Sequence, residues 1–335
     1  MYRDGKVVRT HDEHRFILNH GALGDMITSL PAIIVARQRI PETAMKLMVY
    51  VAPWQLDLVA HLLAPYGAFD VRPITEVPLG AKERMEVRGA GAPNSVNTAL
   101  QNTHTRNRVH MVDYAFAFLT DSRPENMLER SYPTAAPLGP RPKIEGEYVV
   151  FPVGATSENK LFKAKVMAPI IHWCLEHGYR PVIVGTKTSH TQADAGGTLT
   201  PIVIREETQM ISRSLFGRCL DMREQTTLLE LRDILGHARA VVGVDGGTLH
   251  LAGTTDTSIV YAMGATLPKH RFIARNGDPN HKIRYVGPRD LECTGCQSNW
   301  ALTRWDFREC AYGDSKCMDL LHPEDFINGL QEMGL

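Results

Sequence analysis

The chain carries no excess of either charge: Lys+Arg and Asp+Glu both number 37 in 335 residues. No global field therefore draws it to nucleic acid or to an anionic membrane surface. No apolar run approaches the ~20 residues that a membrane-spanning helix needs. The opening MYRDGKVVRTHDEHR lacks the apolar centre of a signal peptide. Six cysteines are too few for a disulfide scaffold at this length, so the expectation is a cytoplasmic, reducing setting. Fourteen histidines fall into no HExxH or similar metal spacing. Repeats and low-complexity segments are missing. So is a complete G-x-G-x-x-G turn, which argues against a dinucleotide oxidoreductase.

What is present is the composition of a soluble globular protein, 43% hydrophobic and 22% charged, long enough for two cores. RFILNH reads as a strand, GALGD as a turn and MITSLPAIIVARQRI as a helix. KLMVYVAP and WQLDLVAHLLAPYG repeat the strand-then-helix order. Residues 79–110 have little period and read as loops on one rim. SYPTAAPLGPRPKIEG carries four prolines and reads as a hinge. After it come EYVVFPVGA, KAKVMAPIIHWCLEHG, RPVIVGT, TTLLELRDILGHA, AVVGVD, TLHLAGTTD and SIVYAMGA, strands alternating with helices. That order specifies parallel sheets. The expected division is 1–140, then 147–322 including a cysteine-rich segment, then a C-terminal helix in 323–335 that could pack on either half.

Ligands in open α/β sheets bind beyond the carboxyl ends of the strands, so three turns concentrate the chemistry. In DGGTLH, Gly246 and Gly247 admit close backbone approach and positive φ. The helix that follows would present free N–H groups and its positive end to a phosphate, with Thr248 and His250 in reach. Asp245 would repel a phosphate and is expected to orient the turn by accepting backbone N–H groups. In GATSENK, Thr156 and Ser157 supply hydroxyls and Lys160 a point charge suited to phosphate. From those residues alone a capped helix start with a solvated lysine is the plainer reading. Two such turns in one half look like two sides of a diphosphate site. In GALGD, Gly24 precedes Asp25, whose carboxylate at a helix start is favoured in its ionised form by ~0.3–1 kcal/mol. It is either a proton acceptor for a substrate hydroxyl or a cap.

These turns, in this order, resemble glycosyltransferase family 9, the ADP-heptose:lipopolysaccharide heptosyltransferases. GALGDMITSLPAI resembles the family's N-terminal signature, and TTLLELRDILGHARAVVGVDGGTLHLAG its C-terminal one. VVFPVGATSENK resembles the phosphate-binding segment between them. The resemblance implies a GT-B fold, two Rossmann-like domains facing a cleft, with acceptor on the N-terminal half and nucleotide-sugar on the C-terminal half. It implies inverting transfer to an acceptor hydroxyl with no metal required. Asp25 would be the general base, with Gly24 beside it on the acceptor side. Thr156, Ser157, Lys160, Asp245, Gly246, Gly247, Thr248 and His250 would form the donor site. Two departures stand out. Gly246 occupies the position where the family carries threonine, and Gly185-Thr186-Lys187 lacks the family's ribose-binding glutamate. Donor base, sugar and acceptor stay open. Rival readings are another GT-B nucleotide-sugar enzyme, an epimerase or hydrolase, or a nucleotide-sugar-binding protein without turnover.

Cys293, Cys296, Cys310 and Cys317 crowd the C-terminal region, the first two spaced CxxC. They read as a structural zinc site or as free thiols in a small subdomain. Cys174 and Cys219 read as core. Trp300 and Trp305 would pack around the cysteine loop. Arg106, Arg108 and His110 read as a solvated rim.

Overall fold

The computed structural model describes residues 2–3, 6–7, 13–19, 23–39, 46–76, 85–88, 132–154, 160–186, 192–193, 199–200, 213–265, 267–268, 282–289, 291–296, 310 and 316–335. The chain divides into two compact units. The first is Met1–Pro137 with Ala195–Gly197 and Lys269–Asn276; the second is Leu138–Asp194 with Thr198–Pro268 and Gly277–Leu335.

Unit 1 is a four-stranded parallel sheet. Its elements are β1 (Glu13–Asn19), α1 (Leu23–Arg39), β2 (Lys46–Val51), α2 (Leu56–Leu63), β3 (Phe69–Pro73) and β4 (Met85–Arg88). The strand order is β3-β2-β1-β4. Strand β4 lies within 79–110, which the sequence reads as loop; that run of Met, Glu, Val and Arg pairs with Phe16–Asn19 of β1, and tertiary pairing overrides its weak pattern. Helix α1 starts at Leu23, so Gly24 and Asp25 are inside its first turn rather than in the turn before it. Every residue from Met26 to Ile34 is buried. Thr28 and Ser29 are tolerated there because their hydroxyls donate to the carbonyls of Gly24 (2.9 Å) and Asp25 (2.8 Å).

Unit 2 is a six-stranded parallel sheet built from β5 (Tyr148–Val153), α3 (Ala164–Glu176), β6 (Arg180–Gly185), α4 (Arg213–Phe216), β7 (Leu220–Asp221), α5 (Leu228–Gly236), β8 (Ala240–Val244), α6 (Gly247–Gly253), β9 (Ser258–Ala262) and β10 (Ile283–Val286). Two helices follow, α7 (Lys316–Asp319) and α8 (Pro323–Glu332). The order β7-β6-β5-β8-β9-β10 is a doubly wound arrangement whose direction reverses between β5 and β8. Both central strands run apolar because helices cover both faces of such sheets. On α3, Val166, Met167, Ile170, Ile171 and Cys174 are buried, the spacing of one helical face. Thr227 and Glu230 close a capping box that starts α5. Helix α8 packs on unit 2: Phe326 lies 5.4 Å from the Phe162 ring, and Gly329 lets it approach Val260 closely.

At the end of β6 the chain needs glycine. Gly185 has φ +116°, and a Cβ there would meet the Val153 carbonyl oxygen at 2.0 Å. Gly185→Ala should lower the unfolding free energy by about 2–4 kcal/mol in urea titrations of the full chain; an unchanged midpoint would contradict this packing.

Candidate functional site

The winding of unit 2 reverses between β5 and β8. These strands pair through Ala240↔Val149 and Val241↔Val150, and the ladder stops where Pro152 has no N–H to donate, although its ring still packs against the place of a Cβ on Gly243. The pairing of β5 with β6 continues as far as Val153↔Gly185, and that of β8 with β9 as far as Val244↔Ala262. The carboxyl ends of strands at such a reversal are the place where doubly wound sheets form a ligand crevice. The segment after β5 and the segment after β8 are GATSENK and DGGTLH.

Lys160 and Asp245 meet across this crevice. The ammonium of Lys160 donates to Oδ2 of Asp245 at 2.7 Å, and Nε2 of His250 lies 3.3 Å from Oδ1. Asp245 and His250 are buried, while Lys160 keeps 22% of its side-chain surface. Burial alone pushes the Asp245 carboxyl up; the Lys160 charge and the hydrogen bonds from His250 and Lys160 outweigh it and hold the group well below the ordinary carboxylate range. An ionised carboxylate this deep in the protein is sustained by its cation.

Asp245 takes a lysine and a histidine from two different segments, partners that no local sequence pattern links. Lys160 is neither a solvated lysine nor a bare phosphate ligand: an incoming anion must share its ammonium with Asp245. His250 is turned to that same carboxylate. Gly246 is extended, with φ −169°, and neither it nor Gly247 adopts positive φ. Among the described residues a Cβ on Gly246 would find only the Val244 carbonyl, at 3.7 Å, and its φ is one any residue adopts. Thr248 is half-buried in the first turn of α6. Thr156 and Ser157 lie outside the described residues, as do Lys187, Trp300, Trp305, Arg106, Arg108 and His110.

Asp25, in unit 1, is half-buried in the first turn of α1, beyond the carboxyl end of β1. Gly24 is also in that turn.

The cysteines converge only loosely. Cys293 and Cys296 bracket a tight turn in which Gly295 has φ +78° and Cys296 N–H donates to the Cys293 carbonyl at 3.0 Å. Cys317 is buried against Gly264. Burial first, then the thiols of Cys296, Cys310 and Cys293, push its own thiol up to about 12. Among the described residues no group of three or more His, Cys, Asp or Glu side chains is placed to hold a metal ion.

Residues 119–276, just under half of the chain, match the family model of glycosyltransferase family 9 (heptosyltransferase). The resemblance to family 9 holds. The match spans the crevice, Lys160, Asp245 and His250, and it supports glycosyltransferase activity. No curated protein matches the chain significantly. Among solved structures, the iron-containing dodecameric glycosyltransferase TibC from enterotoxigenic E. coli H10407 superposes with TM-score 0.68 at 18% identity, over 95% of this chain and 75% of that one. The E. coli ADP-heptose lps heptosyltransferase II gives TM-score 0.62 at 14% identity, over 95% and 98%. A family 9 glycosyltransferase from Veillonella parvula gives 0.58 at 10%, over 95% and 96%. These likenesses show the fold: α/β, GT-B, with two Rossmann-like domains. No helix among the described residues is long and apolar enough to cross a membrane.

The ion pair has a measurable signature. The folded-state pKa of Asp245 lies below its ordinary 3.8, so its contribution to stability is complete above that value and is lost as pH falls from there toward the depressed one. Asp245→Asn should lower the unfolding free energy at neutral pH by about 3 kcal/mol. The gap to wild type should narrow as pH falls below the ordinary carboxylate value. A gap that is constant across that range would contradict the pairing.

Proposed function

We propose that the chain is an inverting glycosyltransferase, transferring a sugar from a nucleoside-diphosphate donor bound in the unit 2 crevice to a hydroxyl of an acceptor recognised by unit 1. The observation that carries this is the crevice at the winding reversal, with a lysine ammonium held in its mouth inside a segment that matches family 9. In the reaction the acceptor oxygen attacks the anomeric carbon, the bond from that carbon to the phosphate oxygen breaks, and the nucleoside diphosphate leaves with the electron pair. Asp25 takes the acceptor proton. Lys160 meets the charge that grows on the leaving diphosphate, assisted by Thr156, Ser157, the N–H groups of Gly246 and Gly247, and the Thr248 hydroxyl. Asp245 and His250 fix the lysine, so that it is positioned before the donor arrives.

The donor chemistry starts from the relatives. A TibC complex contains ADP-D-β-D-heptose, which makes ADP the first nucleotide to test here. A nucleotide-sugar donor fits a cytoplasmic setting. No step runs through a metal. The cysteine cluster is a separate structural proposal, decided by metal analysis of the purified chain beside Cys296→Ser.

Two results test the reading. In a thermal-shift panel of ADP, GDP, UDP, CDP and TDP, at least one should raise the melting temperature by several degrees; a flat panel would remove the diphosphate site. Asp25→Asn should cut transfer by about 10²-fold or more and leave diphosphate affinity intact. Full activity in that variant would take Asp25 out of the mechanism. Slow hydrolysis of donor in water without acceptor, at a rate equal to transfer, would favour a hydrolase.

A further inference from the structure

Helix α5 buries an arginine that the transfer chemistry does not use. Arg232 is 1% exposed, the largest fully buried side chain among the described residues. Its Nε donates to the Thr254 hydroxyl oxygen at 3.1 Å and its NH2 to the Thr254 carbonyl at 3.1 Å. Thr254 is the residue that ends α6, and its own hydroxyl donates to the Leu251 carbonyl at 2.7 Å. A cation at this end of a helix meets the negative end of the helix dipole. Taking a guanidinium out of water is expensive, and a well-packed apolar side chain of like volume serves stability as well or better. What an apolar side chain could not supply is the pair of directed bonds to Thr254.

Helix α6 needs such an anchor. It has seven residues, too few to hold its own geometry, and Leu249, Leu251 and Ala252 on it are fully buried. Apolar burial has no direction, so hydrogen bonds fix the rotation of so short a helix. One lies at His250, whose Nε2 is 3.3 Å from Asp245 Oδ1, a bond with little length to spare. The other lies at Thr254, four residues on, one helical turn away on the same side. A rotation at Thr254 therefore carries the imidazole with it.

We propose that Arg232 is a positioning residue of the donor site. By fixing the end of α6 it keeps His250 on Asp245, and through Asp245 it keeps the Lys160 ammonium where a diphosphate meets it. The next residue of α5 supplies an internal comparison. Asp233 Oδ1 accepts from the N–H of Gly139 at 2.8 Å, so Asp233 holds the chain where it enters unit 2, while Arg232 holds α6. The effect on binding rests on reading the crevice as a nucleoside-diphosphate site; the effect on His250 does not.

Two measurements on the full chain test it. In nitrogen NMR spectra of histidine-labelled protein, the Nε2 signal of His250, assigned with His250→Gln, should move in Arg232→Met and in Thr254→Val and stay in place in Asp233→Ala. Thr254→Val removes one acceptor at nearly constant shape and carries the test if Arg232→Met does not fold. Titration calorimetry with ADP should show about tenfold weaker binding in Arg232→Met, a smaller loss in Thr254→Val and wild-type affinity in Asp233→Ala. In the His250→Gln background, Arg232→Met should add little further loss, because the two changes break one chain of contacts. Losses that multiply in the double variant, an unmoved His250 signal in the Arg232 and Thr254 variants, or an equal loss of affinity in Asp233→Ala would each overturn the positioning role. A wild-type chain that binds no nucleoside diphosphate overturns the donor site, and the His250 signal then decides the role of Arg232 by itself.

Discussion

Everything proposed for unit 2 depends on one buried carboxylate and the lysine that compensates it. An isolated ionised carboxylate at the depth of Asp245 would carry a desolvation penalty of several kcal/mol. Lys160 and His250 remove that penalty because the segments that leave β5 and β8, neighbours in the sheet, bring two positions 85 residues apart in sequence within 2.7 Å. The reversal of winding makes the crevice, and the ion pair fixes its chemistry. An ammonium already held by Asp245 is oriented, but its charge is partly spent. A bound diphosphate therefore competes with Asp245 for Lys160, so the site is built for a ligand with more than one point of attachment.

Much of the fold is legible in the residue pattern. The buried strands AVVGVD and EYVVFPVGA, the helix after Thr227 and the C-terminal helix fall where apolar periodicity and capping residues put them. Strand β4 escapes, because MEVR has neither length nor a strong alternation and is defined by its pairing with β1. So does β7, a strand of two residues whose place is set by β6. At the candidate site, sequence order identifies the turns through the rule that ligands gather at strand carboxyl ends. It cannot tell that Lys160 and Asp245 share a bond, because nothing local links position 160 to position 245.

Gly185 and Gly246, two glycines at strand carboxyl ends, separate once the backbone is known. Gly185 is demanded by a carbonyl that would collide with any Cβ. Gly246 is extended, and among the described residues a Cβ there would meet the Val244 carbonyl only at ordinary contact distance. The family 9 match, the GT-B fold and the crevice agree on the class of chemistry.

The central claim is that Lys160, held by Asp245, is the diphosphate ligand. Calorimetric titration of ADP into wild type and Lys160→Met tests it most directly. The account predicts at least a tenfold weaker dissociation constant in the variant, equivalent to about 1.4 kcal/mol, with most of the loss in the enthalpy. Equal affinity in the two proteins would contradict it.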